Sequence, residues 1–76
     1  MIEIYGTEQC TYCKQAVLLC ESKAIQYEYT DVRAGSNLQL LEERVGTKVK
    51  TVPQIFKDGQ YIPEGFFGLQ KELAKS

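Results

Sequence analysis

Two cysteines three positions apart, Cys10 and Cys13 in the stretch TEQCTYCKQA, are the residues of this chain best suited to chemistry. A C-x-x-C pair serves as half of a zinc site, as a structural disulfide or as a redox couple. A structural zinc site takes four Cys, His or carboxylate ligands, whereas the chain has three cysteines and no histidine. Three is an odd number and too few for a disulfide scaffold. In a reducing compartment a surviving cysteine pair is more often catalytic or metal-binding than structural. The counts favour redox chemistry, and the elements that hold the pair must decide it.

The 76 residues are expected to form one domain, 1–76, with no room for a second. A chain of this size hides only about 60% of its unfolded surface, so its core is thin. Composition is that of an ordinary globular protein, with 43% hydrophobic and 25% charged residues. Net charge is −1, from nine basic and ten acidic residues, and there is no basic run. That argues against nucleic acid or an anionic membrane as the partner. The opening MIEIYG lacks a signal-peptide pattern and no apolar stretch approaches about 18 residues. A soluble, cytoplasmic protein is expected.

Residues 1–5 alternate, with Ile2 and Ile4 on one face, and read as a strand. From Thr11 to about Lys23 the pattern is helical. Cys13, Ala16, Val17, Cys20 and Ala24 form the stripe, which Leu18 and Leu19 widen. Residues 25–31 alternate again and place Ile25, Tyr27 and Tyr29 on one face. Ser36 with Gln39 three later is a capping-box signature opening a helix, in which Leu38, Leu41 and Val45 share a face and Leu40 flanks them. Gly46 is a natural stop. In VPQIFKDGQYIP two short apolar runs flank Asp58-Gly59, a strong hairpin signal. A last short helix is expected from about Phe66 to Lys75, with Phe66, Leu69 and Leu73 inward. The order β-α-β-α-β-β-α predicts an α/β fold whose four-stranded mixed sheet carries helices on both faces.

In that setting Cys10 starts a helix that follows a strand, and Cys13 lies one turn further in. The free N–H groups and positive dipole end of a helix N-terminus stabilise a thiolate. Lys14 adds positive charge and Glu8 works against it. Cys10, at the exposed end, is expected to attack, and Cys13 to resolve. Cys20 lies two turns beyond Cys13, roughly 10 Å along the axis. Disulfide Cα atoms must lie within about 7 Å, so the two cannot pair while the helix holds. On its apolar stripe Cys20 reads as a buried structural thiol. Tyr27 and Tyr29 read as packing residues, and Tyr12, inside the motif but off the stripe, as a contact beside the thiols.

Cys10-Thr11-Tyr12-Cys13 after a first strand, Thr51-Val52-Pro53 before a third, and Gly65-Phe66 leading into the last helix together resemble the glutaredoxin family. The resemblance runs along essentially the whole chain and implies the short thioredoxin-like fold with a cis proline at Pro53. It implies a dithiol oxidoreductase that reduces protein disulfides or glutathione mixed disulfides, with glutathione as reducing co-substrate and no bound cofactor or metal. Glutathione would pair with the Val52 backbone as an added strand, in a site made of Tyr12, Thr51, Val52, Pro53, Gly65, Phe66 and Phe67. Gln39 and Lys50 would donate to its glycyl carboxylate. A monomer acting on disulfide-containing proteins is implied, ribonucleotide reductase being a common client of the family.

The sequence departs from the family in two places. Thr11 replaces the usual proline after the first cysteine, which permits a dimeric [2Fe–2S] cluster-binding module as an alternative. In Ile62-Pro63-Glu64-Gly65-Phe66-Phe67-Gly68, Phe67 and Gly68 stand where the family has polar helix caps for the γ-glutamyl end. Backbone N–H groups there still suit a carboxylate. A redoxin reduced by thioredoxin reductase is the other alternative.

Overall fold

The alternation of Ile2 and Ile4 with Glu3 and Tyr5 gives the first strand one buried apolar face and one half-buried mixed face. In the computed structural model, which describes residues 1–75, this strand is β1, Ile2–Gly6. It is followed by α1 (Thr11–Ser22), β2 (Tyr27–Asp31), α2 (Asn37–Val45), β3 (Gln54–Lys57), β4 (Gln60–Ile62) and α3 (Gly65–Ala74). The expected β-α-β-α-β-β-α order and mixed four-stranded sheet are both present.

Strand order is β2-β1-β3-β4. β1 runs parallel to β2 (Ile4 opposite Tyr29) and antiparallel to β3 (Ile4 opposite Ile55). The Asp58-Gly59 turn closes the antiparallel β3–β4 hairpin, in which Ile55 faces Ile62. Ile2, Ile4, Ile55 and Ile62 therefore project to one side. There they pack with Ala16 and Cys20 of α1 and with Phe66, Leu69 and Leu73 of α3. Phe56, on the other face, packs with Leu41 of α2 and with Val32, Tyr5, Val45, Val49 and Val52. Helices thus cover both faces, α1 and α3 one side and α2 the other.

Two local expectations are corrected. Ser36 does precede α2, but its side chain makes no capping bond, so the Ser36–Gln39 box is not formed. Instead, the Asn37 side-chain amide donates to the Asp31 carbonyl at 2.9 Å, tying the helix start to β2. Leu38 and Leu40 are exposed and only Leu41 is fully buried, so the apolar stripe of α2 is narrower than the sequence implies.

Arg44 completes the contact between α2 and the sheet. Its guanidinium donates to both Glu3 oxygens (2.5 and 2.9 Å) and to the Tyr5 hydroxyl (2.9 Å). It also lies 3.8 Å from the Phe56 ring centroid, the fork-and-plane geometry suited to arginine. The Arg44 hydrogen bonds hold the Glu3 carboxyl below its usual range.

Candidate active site

The loop from Thr7 to Cys10 turns the chain from β1 into α1, closed by the Cys10 N–H donating to the Thr7 carbonyl at 3.3 Å. Cys10 is the residue that caps α1, in extended conformation. Its sulfur accepts the backbone N–H of Cys13 at 3.2 Å, and its carbonyl accepts that of Lys14. A sulfur at this position faces the open N-terminal end of the helix and a directed backbone donor. All three cysteines are free thiols.

Cys13 differs in its surroundings. It is fully buried, whereas Cys10 is half-exposed. Burial pushes the Cys13 thiol up to about 12, and its hydrogen bond with Cys10 adds to the effect. The room for it comes from Gly6, where a Cβ would lie 2.4 Å from Cys13 Sγ. One sulfur is half-exposed with one backbone N–H directed at it, while its neighbour is sheltered and held protonated. Access alone therefore lets Cys10, rather than Cys13, meet an incoming disulfide first.

Across from Cys10 lies the Val52–Pro53 peptide bond, which is cis as the resemblance implied. The Cys10 thiol donates to the Val52 carbonyl at 3.6 Å. Beyond it opens a groove of about 320 Å³. Tyr12, Thr51, Val52, Pro53, Gly65, Phe66 and Phe67 are among its lining residues. Tyr12 stacks on Phe66 (centroids 5.8 Å apart) and leans on Phe67 (5.2 Å), so these rings form one aromatic shelf. Gly65 adopts φ +55° and a Cβ there would lie 2.9 Å from the Pro53 carbonyl oxygen, so only glycine brings α3 this close. The N–H groups of Gly65, Phe66 and Phe67 precede the first bond of α3, from Gly68 N–H to the Glu64 carbonyl. They are the donors that a helix start offers to an anion.

Two of the expected residues stand apart. Gln39 is exposed on α2 and lines a separate hollow with Glu42 and Glu43. Lys50 is exposed beside Thr51 and is not among the groove's walls. The reading of the α3 start also changes. The capping position belongs to Glu64, in left-handed conformation with no side-chain capping bond, its carboxylate instead accepting from Lys71 at 3.0 Å. Gly68 lies a full turn into the helix and packs on the Pro63 carbonyl, so it is no cap position.

Sequence reasoning missed Gln54, Tyr61, Glu64 and Tyr29. Gln54 is buried, donates to the Thr51 carbonyl at 2.8 Å and accepts from the Tyr61 hydroxyl at 2.6 Å, which fastens the 51–53 loop to β4. A glutamine entering an apolar strand next to the motif was the available signal. Tyr29, read as packing, sends its hydroxyl into the Thr7–Cys13 corner, where it donates to the Thr7 carbonyl at 3.0 Å. Cys20 is fully buried in the α1–α3 core, as expected. Among the described residues no group of three or more His, Cys, Asp or Glu side chains is placed to hold a metal ion.

The glutaredoxin family profile matches residues 2–62. Glutaredoxin 1 of Escherichia coli K12 is 42% identical over 65 residues, covering 78% of this chain and 76% of that protein. Reduced Escherichia coli glutaredoxin superposes with a TM-score of 0.80 at 33% identity, over 99% of this chain and 94% of that one. Glutaredoxin 1 from Francisella tularensis gives 0.78 at 26% identity, over 97% and 92%.

Proposed function

Since the chain belongs to the glutaredoxin family, whose members are thiol–disulfide oxidoreductases, we propose that its Cys10–Cys13 dithiol works with glutathione as the reductant. The observation that carries this reading is the unequal environment of the two sulfurs: Cys10 half-exposed at the helix cap under the Cys13 N–H, Cys13 buried and protonated.

In the forward direction the Cys10 thiolate attacks one sulfur of a substrate disulfide. The Cys10–substrate bond forms, and the substrate's other sulfur leaves with the electron pair and takes a proton. Cys13 then attacks Cys10 Sγ, forming Cys10–Cys13 and releasing the second substrate thiol. Two glutathione molecules restore the dithiol and leave as glutathione disulfide, so electrons balance.

Glutathione is an extended peptide with a carboxylate at each end. Its backbone suits Val52, beside Cys10, in the strand-like pairing that extended ligands use. Its γ-glutamyl carboxylate suits the N–H groups of Gly65, Phe66 and Phe67, and the Tyr12–Phe66–Phe67 shelf gives its apolar stem a surface. Lys50 and Gln39 remain the donors for the glycyl carboxylate. We place this activity in a monomeric domain of residues 1–76 in the cytoplasm, with protein disulfides such as that of ribonucleotide reductase as clients. Free thiols suit that compartment, and no helix among the described residues is long and apolar enough to cross a membrane.

A coupled NADPH assay tests the electron donor. Glutathione with glutathione reductase is expected to sustain turnover of a protein disulfide and of a glutathione mixed disulfide. Turnover with thioredoxin reductase alone, and none with glutathione, would overturn the proposal. A visible absorbance spectrum after anaerobic purification, with glutathione added, separates a cluster-binding module from the enzyme.

A further inference from the structure

We propose that Tyr29 is the hydrogen-bond donor that stabilises the Cys13 thiolate during the resolving step, switching its hydroxyl proton from the Thr7 carbonyl to the sulfur. The inference rests on the dithiol reading given above and deepens it.

Resolution poses a problem that the first attack does not. Cys10 sits at a helix cap with a directed N–H donor. Cys13 lies one turn further in, fully buried, and must become a thiolate without water beside it. Something in the protein must take over the role of solvent.

The corner above Gly6 supplies it. A Cβ at Gly6 would lie 2.4 Å from Cys13 Sγ and 2.7 Å from the Tyr29 hydroxyl oxygen, so sulfur and hydroxyl flank the same small space. Tyr29 reaches it from β2, where it pairs with Ile4 across the sheet and projects on the α1 side. In the thiol form its hydroxyl donates to the Thr7 carbonyl at 3.0 Å. A phenol turns its O–H about one bond, so the proton can be redirected to the adjoining sulfur once charge appears there. The Thr7 backbone N–H and the Tyr29 hydroxyl both favour the Cys13 thiolate, against the larger effect of burial. Tyr29 itself is pushed up to about 12 by burial and by Cys13, which keeps its proton available as a donor.

The step balances with the groups already named. Cys13 gives up its S–H proton and attacks Cys10 Sγ. The Cys10–substrate S–S bond breaks as Cys10–Cys13 forms. The substrate sulfur leaves with the electron pair and ends as a thiol with that proton. Tyr29 contributes a hydrogen bond and keeps its own proton throughout.

Other charged groups near this corner must be held constant in the test. Cys13 faces Cys10 from its own helix, Asp31 lies two residues along β2 from Tyr29, and Glu8 and Lys14 share the hollow beside the ring. The experiment is rapid mixing of the reduced protein with a peptide containing one disulfide, quenched in acid and read by mass spectrometry across pH. The mixed disulfide at Cys10 grows in the first step and decays in the second.

Tyr29→Phe is expected to slow the decay roughly tenfold, as loss of one hydrogen bond to a charged group implies. Its pH midpoint should rise, and the growth phase should slow by a much smaller factor. A ring-fluorinated tyrosine at position 29, a stronger donor of similar size, should move the midpoint down. Unchanged decay and midpoint in Tyr29→Phe would overturn the assignment, as would growth and decay slowing by one common factor. A wild-type protein that never forms the Cys10–Cys13 bond would remove the dithiol reading and this assignment with it. Those outcomes are distinguishable because the wild type is measured first.

Discussion

Gly6 and Cys13 occupy one another's space: the last residue of β1 lies so close beneath the buried thiol that a single added carbon would lie 2.4 Å from its sulfur. Gly6 needs no unusual backbone angle, so the requirement is one of volume. The sheet and α1 can approach only because β1 ends without a side chain.

Gly6→Ala should therefore push Cys13 and the start of α1 outward. Overpacking of a tight interior costs about 1–3 kcal/mol, a large share of the stability of a domain this small. Urea denaturation should show that loss, and alkylation of the folded protein should label Cys13 faster. A variant with wild-type stability and a protected Cys13 would show that the corner has slack.

The roles of the two sulfurs give a separate expectation. Cys10→Ser should abolish reduction of any disulfide. Cys13→Ser should accumulate a mixed disulfide at Cys10 and retain reduction of glutathione mixed disulfides, which needs one thiol. Mass spectrometry of the quenched reaction checks this. Complete loss of both activities in Cys13→Ser would contradict the division of roles.

Burial of Cys13 also sets the sign of a pH dependence. Its folded pKa is raised from 9.0 to about 12, so on alkalinisation the unfolded chain loses this proton first. The folded state then binds more protons, and stability falls as pH rises. The contribution is fully present below pH 9.0 and is lost progressively toward pH 12. Cys20, Tyr27 and Tyr29 are raised as well and act in the same direction. The reduced wild type should thus lose stability above pH 9.0 more steeply than Cys13→Ser. Equal slopes in paired denaturant titrations would refute it.

Much of this was legible in the sequence, and the exceptions share a cause. Strand alternation at Ile2 and Ile4, the α1 stripe and the Asp58-Gly59 turn are local patterns, and each formed the element it implied. Cys10 and Cys13 were legible for the same reason, since their spacing and their place after a strand lie in one stretch. What failed depends on partners that lie outside the element being read. Ser36 precedes α2 at φ −97° and ψ 18°, not in the extended conformation typical of a capping residue, and the Asn37 side chain ties the helix start to the Asp31 carbonyl of β2 instead. Gln54 and Tyr61 meet across a hairpin, and Tyr29 reaches Thr7 from another strand. Alternation identifies the face each residue occupies, but not the polar atom waiting there.

Gly68 supplies the last prediction, and here two effects compete. In an exposed helix interior, glycine to alanine gains roughly 0.8–1 kcal/mol from propensity alone. At Gly68 the added carbon would lie 1.8 Å from the Pro63 carbonyl oxygen and 3.1 Å from Ile62 Cγ2. The first contact is with backbone, at the junction between β4 and α3, and it cannot be relieved by turning a side chain. Either the 63–65 segment must move, which shifts Gly65 against Pro53 and opens the groove, or α3 must tilt off the sheet. A backbone clash this close belongs at the upper end of the about 1–3 kcal/mol that overpacking costs, so after the propensity gain Gly68→Ala should lower stability by up to about 2 kcal/mol. For a domain of this length that corresponds to several degrees in melting temperature. Gly68→Asp should be worse, since it adds a carboxylate beside a carbonyl oxygen. Because the same shift disturbs Gly65, KM for a glutathione mixed disulfide should rise along with the loss of stability. A higher melting temperature in Gly68→Ala, with KM unchanged, would show that propensity outweighs the clash and that the β4–α3 junction yields freely.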